Sequence, residues 1–572
     1  MRILKYFGYV GDREVHYRRA GSGPPLVLLH PAPGSSFALE PLIRELATGR
    51  TVIALDTPGA GESAGLGLAA PSCADYSDAL AKTLDWMGLD RVDLYGSHTG
   101  ATLALDFAHR HARRVNRVIL NALAAYTEDE RTDLVANYAP SLKPQWDGSH
   151  LVRTWAMRRD MLLFWPWYRR TPEARRVLDM PTAGGLHDKV LDMMRAGPLY
   201  WQLYHASFRY EPTEALARLS VPTMITVGPD DPLAEHLGRL PDRVENAEIR
   251  MRRTSDLADL ADLVQSFLAD PDLPDAPPPR RAALDPGTVQ RGYVATSAGQ
   301  MLVRRIPGEG RPLLLLQASP PGSGAALEPL MRAMGADRPA LALDTPGNGD
   351  SAPFSGKPDM ADLARLVGEV CDAEGHEDYD VYGNHTGAVL GMQLAIERPS
   401  LVRHLILDGI PIYTPDESQD FIDNYQPPMV PSWDGSHLLW AWNYLRDVLL
   451  WWPFYARTAA GTRVGRFAPA ADIHHSLVEF LKGGRTYHHN FVALWEYPTT
   501  ERLPLIKAEM LICARPTDPW IVHLEAASRI LPTARIEQTE DLAVPIHSRY
   551  RELVSPESTI ALYRAFLQDA LP

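Results

Sequence analysis

Two short stretches of this chain set a histidine between paired glycines, Gly96-Ser97-His98-Thr99-Gly100 and Gly383-Asn384-His385-Thr386-Gly387. Each follows an apolar run and precedes a helical pattern, so each reads as a strand breaking sharply into a helix. Glycines on both sides permit so tight a turn, because a side chain at either position would strike the neighbouring backbone. The central imidazole is thereby held out at a helix N-terminus. A neutral imidazole is a base near pH 7 and a moderate nucleophile, and the positive end of a helix dipole favours that neutral form over imidazolium. Carboxylates recur at the same spacing: Asp231 follows His98 as Asp518 follows His385, with each pair of equivalents 287 residues apart. A further imidazole, His547, appears only in the second half; the first half runs from Asp256 straight into a helical pattern with no counterpart. Imidazole and carboxylate together suit proton abstraction from water or a carbon acid. The reactions in reach are hydrolysis of an ester, a lactone or an activated C–C bond, and a cofactor-free lyase reaction.

The elements that position these groups repeat as well. The 287-residue offset also pairs Trp146-Asp147-Gly148-Ser149-His150-Leu151 with Trp433-Asp434-Gly435-Ser436-His437-Leu438. An offset held over so long a stretch predicts two homologous domains and rules out short solenoid repeats. Continuous apolar runs at 25–29 and 312–316 fit strands covered on both faces. Loops follow them, His30-Pro31-Ala32-Pro33-Gly34-Ser35 and Gln317-Ala318-Ser319-Pro320-Pro321-Gly322, and the next strands end in Asp56-Thr57-Pro58-Gly59-Ala60-Gly61-Glu62-Ser63 and Asp344-Thr345-Pro346-Gly347-Asn348-Gly349-Asp350-Ser351. Beyond each glycine-flanked histidine lies another strand and then a segment rich in Trp, Tyr and Met.

Taken together these residues resemble the α/β-hydrolase superfamily. The paired-glycine turns resemble its G-x-S-x-G nucleophile elbow, with histidine where that family usually carries Ser, Cys or Asp. The loops at Ala32 and Ser319 match the position of its oxyanion-hole donor, and the Asp-x-x-Gly-x-Gly-x-Ser turns match another of its signatures. The resemblance implies an α/β fold class: two tandem α/β-hydrolase-like domains, each a mostly parallel, doubly wound sheet with an inserted helical cap. Domain 1 is expected over 1–270 with a cap at 126–210, a proline-rich linker over 271–286 as a stiff exposed spacer, and domain 2 over 287–572 with a cap at 413–497. The catalytic candidates are His385, Asp518 and His547 in the second domain, and His98 and Asp231 in the first. Lacking a late histidine, the first domain is read as degenerate. Ser319, Thr386, Trp433, His437 and His523 are the substrate-binding candidates. The aromatic caps suit an apolar or ring-bearing substrate, although such faces also serve simply as core.

Bulk properties bound the alternatives. The chain has 572 residues and a formal net charge of −14, which disfavours general binding to nucleic acid or anionic membrane. Three scattered cysteines make neither a disulfide framework nor a thiolate metal site. His474-His475 and His488-His489 lack a metal-ligand pattern and are read as cap surface. No signal peptide or membrane span is evident, so the expected location is the cytoplasm. No cofactor and no metal are implied; the partner expected is a small-molecule substrate, with the two domains packed as an intramolecular pseudo-dimer and a homo-oligomer as a further option. The leading reading is a cofactor-independent hydrolase or lyase of a small carbonyl compound; the alternative is a catalytically silent binding or scaffold protein.

Overall fold

Runs such as Leu26-Val27-Leu28-Leu29 bury every side chain, because helices cover both faces of the sheet they enter. In the first unit the strands are β1 (Leu4–Val10), β2 (Arg13–Ala20), β3 (Pro25–Leu29), β4 (Thr51–Leu55), β5 (Val92–Ser97), β6 (Val115–Asn121), β7 (Thr223–Val227) and β8 (Ile249–Arg253), in spatial order β1-β2-β4-β3-β5-β6-β7-β8. The β1–β2 hairpin is antiparallel and β2 joins β4 antiparallel, while β3 to β8 pair in parallel. The second unit repeats that order with β9 (Gln290–Thr296), β10 (Gly299–Ile306), β11 (Leu313–Leu316), β12 (Ala340–Leu343), β13 (Tyr379–Asn384), β14 (Val402–Asp408), β15 (Glu509–Ala514) and β16 (Arg535–Gln538).

The computed structural model describes residues 2–241, 249–253, 256–269, 272–280, 287–319, 322–336, 338–463, 468–540 and 556–568. The chain divides into two units, one of Met1–Lys143 with His150–Ala282 and the other of Pro144–Ser149 with Ala283–Pro572. The Trp146-Asp147-Gly148 block therefore groups with the second unit, although its sequence belongs to the first cap.

Within the first unit, helices Cys73–Met87 and Thr99–Arg110 pack on one sheet face, and Glu40–Leu46 with Leu257–Phe267 on the other. In the second, Glu328–Met334 and Glu557–Leu567 cover one face through Met331, Met334, Ile560 and Tyr563. The expected linker differs from an exposed spacer. Ala276 N–H donates to Gly23 O at 3.0 Å, Arg19 Nη2 to Pro277 O at 2.6 Å, and Arg280 Nη1 to Trp86 O at 3.2 Å. Prolines supply carbonyl acceptors without needing donors of their own, so this segment can lie along the first unit and satisfy its side chains.

The caps rise from the chain after β6 and β14. Each carries four main helices, Glu128–Asn137, Ser149–Leu163, Ala183–Arg195 and Tyr200–Phe208 in one, and Pro415–Asn424, Ser436–Asp447, Ala470–Lys482 and Tyr487–Trp495 in the other. Polar ties anchor each cap to the loops below. Ser35 N–H donates to Asp192 at 2.9 Å and Arg195 pairs with Glu62 at 3.0 Å; Ser323 Oγ donates to Glu479 at 2.7 Å and Lys482 pairs with Asp350 at 3.1 Å.

The turns into the central helices obey the glycine requirement closely. A Cβ on Gly96 would lie 2.1 Å from Gly100 O, and one on Gly100 2.3 Å from Leu29 O. In the second unit the corresponding distances are 2.3 Å for Gly383 to Gly387 O and 2.1 Å for Gly387 to Leu316 O. Backbone cannot retreat there without breaking a strand. Gly387→Ala is therefore expected to cost about 3 kcal/mol from overpacking, seen as a lower urea midpoint for the second unit; an unchanged midpoint would mean the turn has room the structure does not show.

Candidate active site

His98 and His385 occupy the apex of these turns with φ 53°, ψ −115° and φ 49°, ψ −112°. A positive φ at a residue with a bulky side chain is strained by about 1–3 kcal/mol, and it aims the imidazole away from both strand and helix. Each histidine is tied from behind, with His98 N–H donating to Asn121 O at 2.9 Å and His385 N–H to Asp408 O at 3.0 Å. The strand neighbours β6 and β14 thus fix where the imidazole starts.

The acids meet them. His98 Nε2 lies 2.9 Å from Asp231 Oδ2, and His385 Nε2 lies 2.8 Å from Asp518 Oδ2. Both carboxylates also cap the chain that carries them: Asp231 Oδ1 accepts from Leu233 N–H and Asp518 Oδ1 from Trp520 N–H, each at 2.9 Å. Burial alone would raise the Asp518 carboxyl pKa, but the charge and hydrogen bond of His385, the Arg515 guanidinium and the Trp520 N–H outweigh it and hold the group well below the usual carboxylate range. Asp231 is lowered likewise against its burial, by its bond to His98, the His98 charge, the Leu233 N–H and Arg176. Both acids are ionised at neutral pH. Each accepts from Nε2–H, which leaves Nδ1 as the basic nitrogen of the ring.

The two sites differ in what surrounds that shared pair. His385 lies against Gly409, where a Cβ would come within 2.5 Å of its Cδ2, and its ring is 4.2 Å from that of Trp520. Trp520 in turn meets Tyr413, Trp452 and Trp495 at centroid distances of 6.2, 6.3 and 6.0 Å, so an aromatic wall stands over the second elbow. In the first unit Ala122 replaces Gly409 and Leu233 replaces Trp520, and the His98 side chain is 35% exposed against 23% for His385. Beneath His385 sits a charged group, Asp408 accepting from Tyr382 Oη at 2.6 Å with Arg515 Nη2 at 3.8 Å; beneath His98 the equivalent is neutral, Asn121 Nδ2 donating to Tyr95 Oη at 3.0 Å.

The remaining candidates are placed as follows. Ser319 and Thr386 come together, Thr386 Oγ1 donating to Ser319 O at 3.3 Å while Ser319 Oγ shares a hydrogen bond with Thr345. In the first unit Ala32 N–H, at the matching donor position, gives its hydrogen bond to Thr99 Oγ1 at 2.7 Å, so the threonine hydroxyl keeps its own proton to offer. Trp433 is 43% exposed, and His437 is buried with Nδ1 accepting from Ser432 N–H at 3.1 Å. His523 Nδ1 lies 2.9 Å from Ile410 O and 3.1 Å from Ile412 N, and His236 Nδ1 accepts from Ala125 N–H at 3.0 Å. These paired histidines brace the chain where it enters the cap. His547 lies outside the described residues. Among those described, no group of three or more His, Cys, Asp or Glu is arranged to hold a metal ion, and no helix is long and apolar enough to cross a membrane.

Sequence reasoning passed over Trp520, Gly409, Arg515 and Ser97. Trp520 had a signal in its place two residues after the acid, and Ser97 in its place beside the histidine; Gly409 and Arg515 declare themselves only once β14 and β15 are neighbours.

With that geometry in hand, the likenesses to known proteins can be read. Residues 24–240 match the family model described as the alpha/beta hydrolase fold, which covers most of the first unit. That match concerns the first unit, and the second unit carries the same strand order. The chain is 34% identical over 106 residues to the putative carbamate hydrolase RutD of Azorhizobium caulinodans, covering 18% of this chain and 40% of that one. It is 36% identical over 117 residues to 2-hydroxy-6-oxononadienedioate/2-hydroxy-6-oxononatrienedioate hydrolase 2 of Pseudomonas putida, covering 19% of this chain and 40% of that one. The chain thus spans about two fifths of the length of these relatives. Among solved structures, epoxide hydrolase A of Mycobacterium thermoresistibile aligns at TM-score 0.39 and 18% identity, covering 48% of this chain and all of that one.

One pH dependence follows from the bracing histidines. Burial and the nearby Arg239 guanidinium lower His236 to about 4 from 6.5. Between those values the unfolded chain binds a proton that the folded unit refuses, so stability rises with pH in that window and falls as pH drops through it. The melting temperature of the first unit should decline from pH 6.5 toward pH 4, and His236→Gln should flatten that slope; an equally steep slope in the variant would assign it elsewhere.

Proposed function

We propose that this chain is a cofactor-independent hydrolase of a small carbonyl compound, an ester, a lactone or an activated C–C bond, with its chemistry in the second unit. The observation that carries the reading is the 2.8 Å contact of His385 with a buried, ionised Asp518 at a strained helix N-terminus, under an aromatic wall. Asp518 holds the ring by Nε2–H and stabilises the imidazolium as it forms. Nδ1 takes a proton from water, the resulting hydroxide adds to the carbonyl, and the oxyanion that forms is stabilised by the Thr386 N–H at the start of helix Thr386–Glu397, where N–H groups lack an intrahelical partner. The imidazolium then returns its proton to the leaving group as the tetrahedral intermediate collapses. A lyase reaction would use the same base on a carbon acid.

The likeness to hydrolases named for 2-hydroxy-6-oxo dienoate-type substrates supports the C–C bond arm of this reading. The wall of Trp520, Tyr413, Trp452 and Trp495 supports a flat or ring-bearing substrate. His547 remains a proposed third member of the site, as a second proton carrier.

The test is turnover of an ester, lactone and β-diketone panel by purified single variants. His385→Ala should lose roughly 10²-fold or more in kcat with its melting temperature retained, Asp518→Asn should lose activity with KM little changed, and His98→Ala should lose much less. Equal losses at both histidines would end the assignment to the second unit. No turnover by the wild-type chain would favour a silent binding protein.

A further inference from the structure

The two imidazole–carboxylate pairs are alike at Nε2 and differ at the other ring nitrogen. In the first unit Ser97 Oγ lies 3.1 Å from His98 Nδ1, and that hydroxyl is oriented by Asn121 Nδ2 at 3.4 Å. With Asp231 accepting from Nε2–H, Nδ1 of neutral His98 carries only a lone pair, so Ser97 must be the donor. Both nitrogens of His98 are then engaged. In the second unit the residue before the histidine is Asn384, whose Nδ2 donates to Asp408 O at 3.1 Å, away from the ring. Among the described residues nothing hydrogen-bonds His385 Nδ1.

We propose that the residue preceding each apex histidine governs whether its Nδ1 is available, Ser97 occupying that of His98 and Asn384 leaving that of His385 open to substrate. Ser97 and Asn384 are positioning residues in this scheme, since they act through the imidazole. The contrast has a direct cause in the chain: a serine hydroxyl is short, and one bond can turn it to face the ring of the next residue. An asparagine amide at the same place reaches the end of β14 instead, where Asp408 O accepts it. This inference deepens the assignment of chemistry to the second unit and rests on it for its functional meaning, while its physical content concerns the free lone pair alone.

Acylation of imidazole by diethyl pyrocarbonate reads that lone pair without any substrate, so its outcome is independent of whether hydrolysis is ever found. Peptide mapping by mass spectrometry gives the rate at each histidine in the intact chain. Exposure alone predicts faster modification of His98, at 35% exposed, than of His385, at 23%. The proposal predicts the reverse order. Ser97→Ala and Ser97→Asn should each speed modification of His98 by roughly 3- to 10-fold, the effect of freeing one neutral hydrogen bond, and Asn384→Ser should slow that of His385 by a similar factor. Melting curves of the three variants show whether the fold is retained, and the paired changes of opposite sign separate availability from loosening, which would raise rates in all three. If His98 is modified at the same rate with serine, alanine or asparagine at position 97, the inference is wrong. A readout on turnover completes it: Asn384→Ser should lower kcat and shift the acid limb of the pH–rate profile while leaving KM in place, and an unaltered profile counts against the role proposed for position 384.

Discussion

A histidine held at positive φ between two glycines is the constraint on which both sites depend. The conformation is unfavourable by itself and persists because β-strand backbone closes around it on two sides: Gly100 against Leu29 O and Gly387 against Leu316 O leave no other path for the chain. The geometry of both candidate sites follows from where that apex points the imidazole. The sheet order then supplies the acid, since β7 and β15 end beside β6 and β14, and the loop leaving each strand brings Asp231 or Asp518 to Nε2.

The acids are held twice, by the histidine and by a backbone N–H two residues on, and this second bond makes the pair more than a surface ion pair. Leu233 N–H and Trp520 N–H fix each carboxylate before the imidazole meets it. Around that common frame the two units differ chemically. The second places glycine under the ring, tryptophan over it and a buried Asp408–Arg515 group behind it; the first keeps alanine, leucine and a neutral Asn121–Tyr95 contact. A chain with one strand order in both units thus holds two imidazole–carboxylate pairs in different surroundings.

Much of this frame was legible in the sequence. Glycine pairs, apolar strand runs and a fixed 287-residue offset are local or periodic signals, and they identify the turns, the sheets, His98, His385 and both acids. Groups whose role depends on strands coming together were not. Gly409 matters because it lies under an imidazole from the neighbouring strand, and Arg515 because its charge is shared by Asp408 and Asp518. The repeated Trp-Asp-Gly-Ser-His block reads as pocket lining, and within it His437 Nδ1 accepts from Ser432 N–H, a local contact that the repeat alone does not announce. His523 reads as substrate-binding, and the structure places its Nδ1 against backbone of the chain entering the cap, a contact that no one-dimensional pattern distinguishes. The degenerate reading of the first unit rested on a missing late histidine, whereas its imidazole–carboxylate contact is formed as closely as that of the second.

The central claim is the proposal that the apex imidazole of the second unit is the base of a hydrolase and does not merely fill a turn. Replacing both at once, as His98→Asn with His385→Asn, and following hydrolysis of the carbonyl panel beside thermal melting, tests it most directly. The account predicts that turnover falls to the uncatalysed background while both units keep their melting transitions. Turnover that survives the double replacement in a folded chain would contradict it.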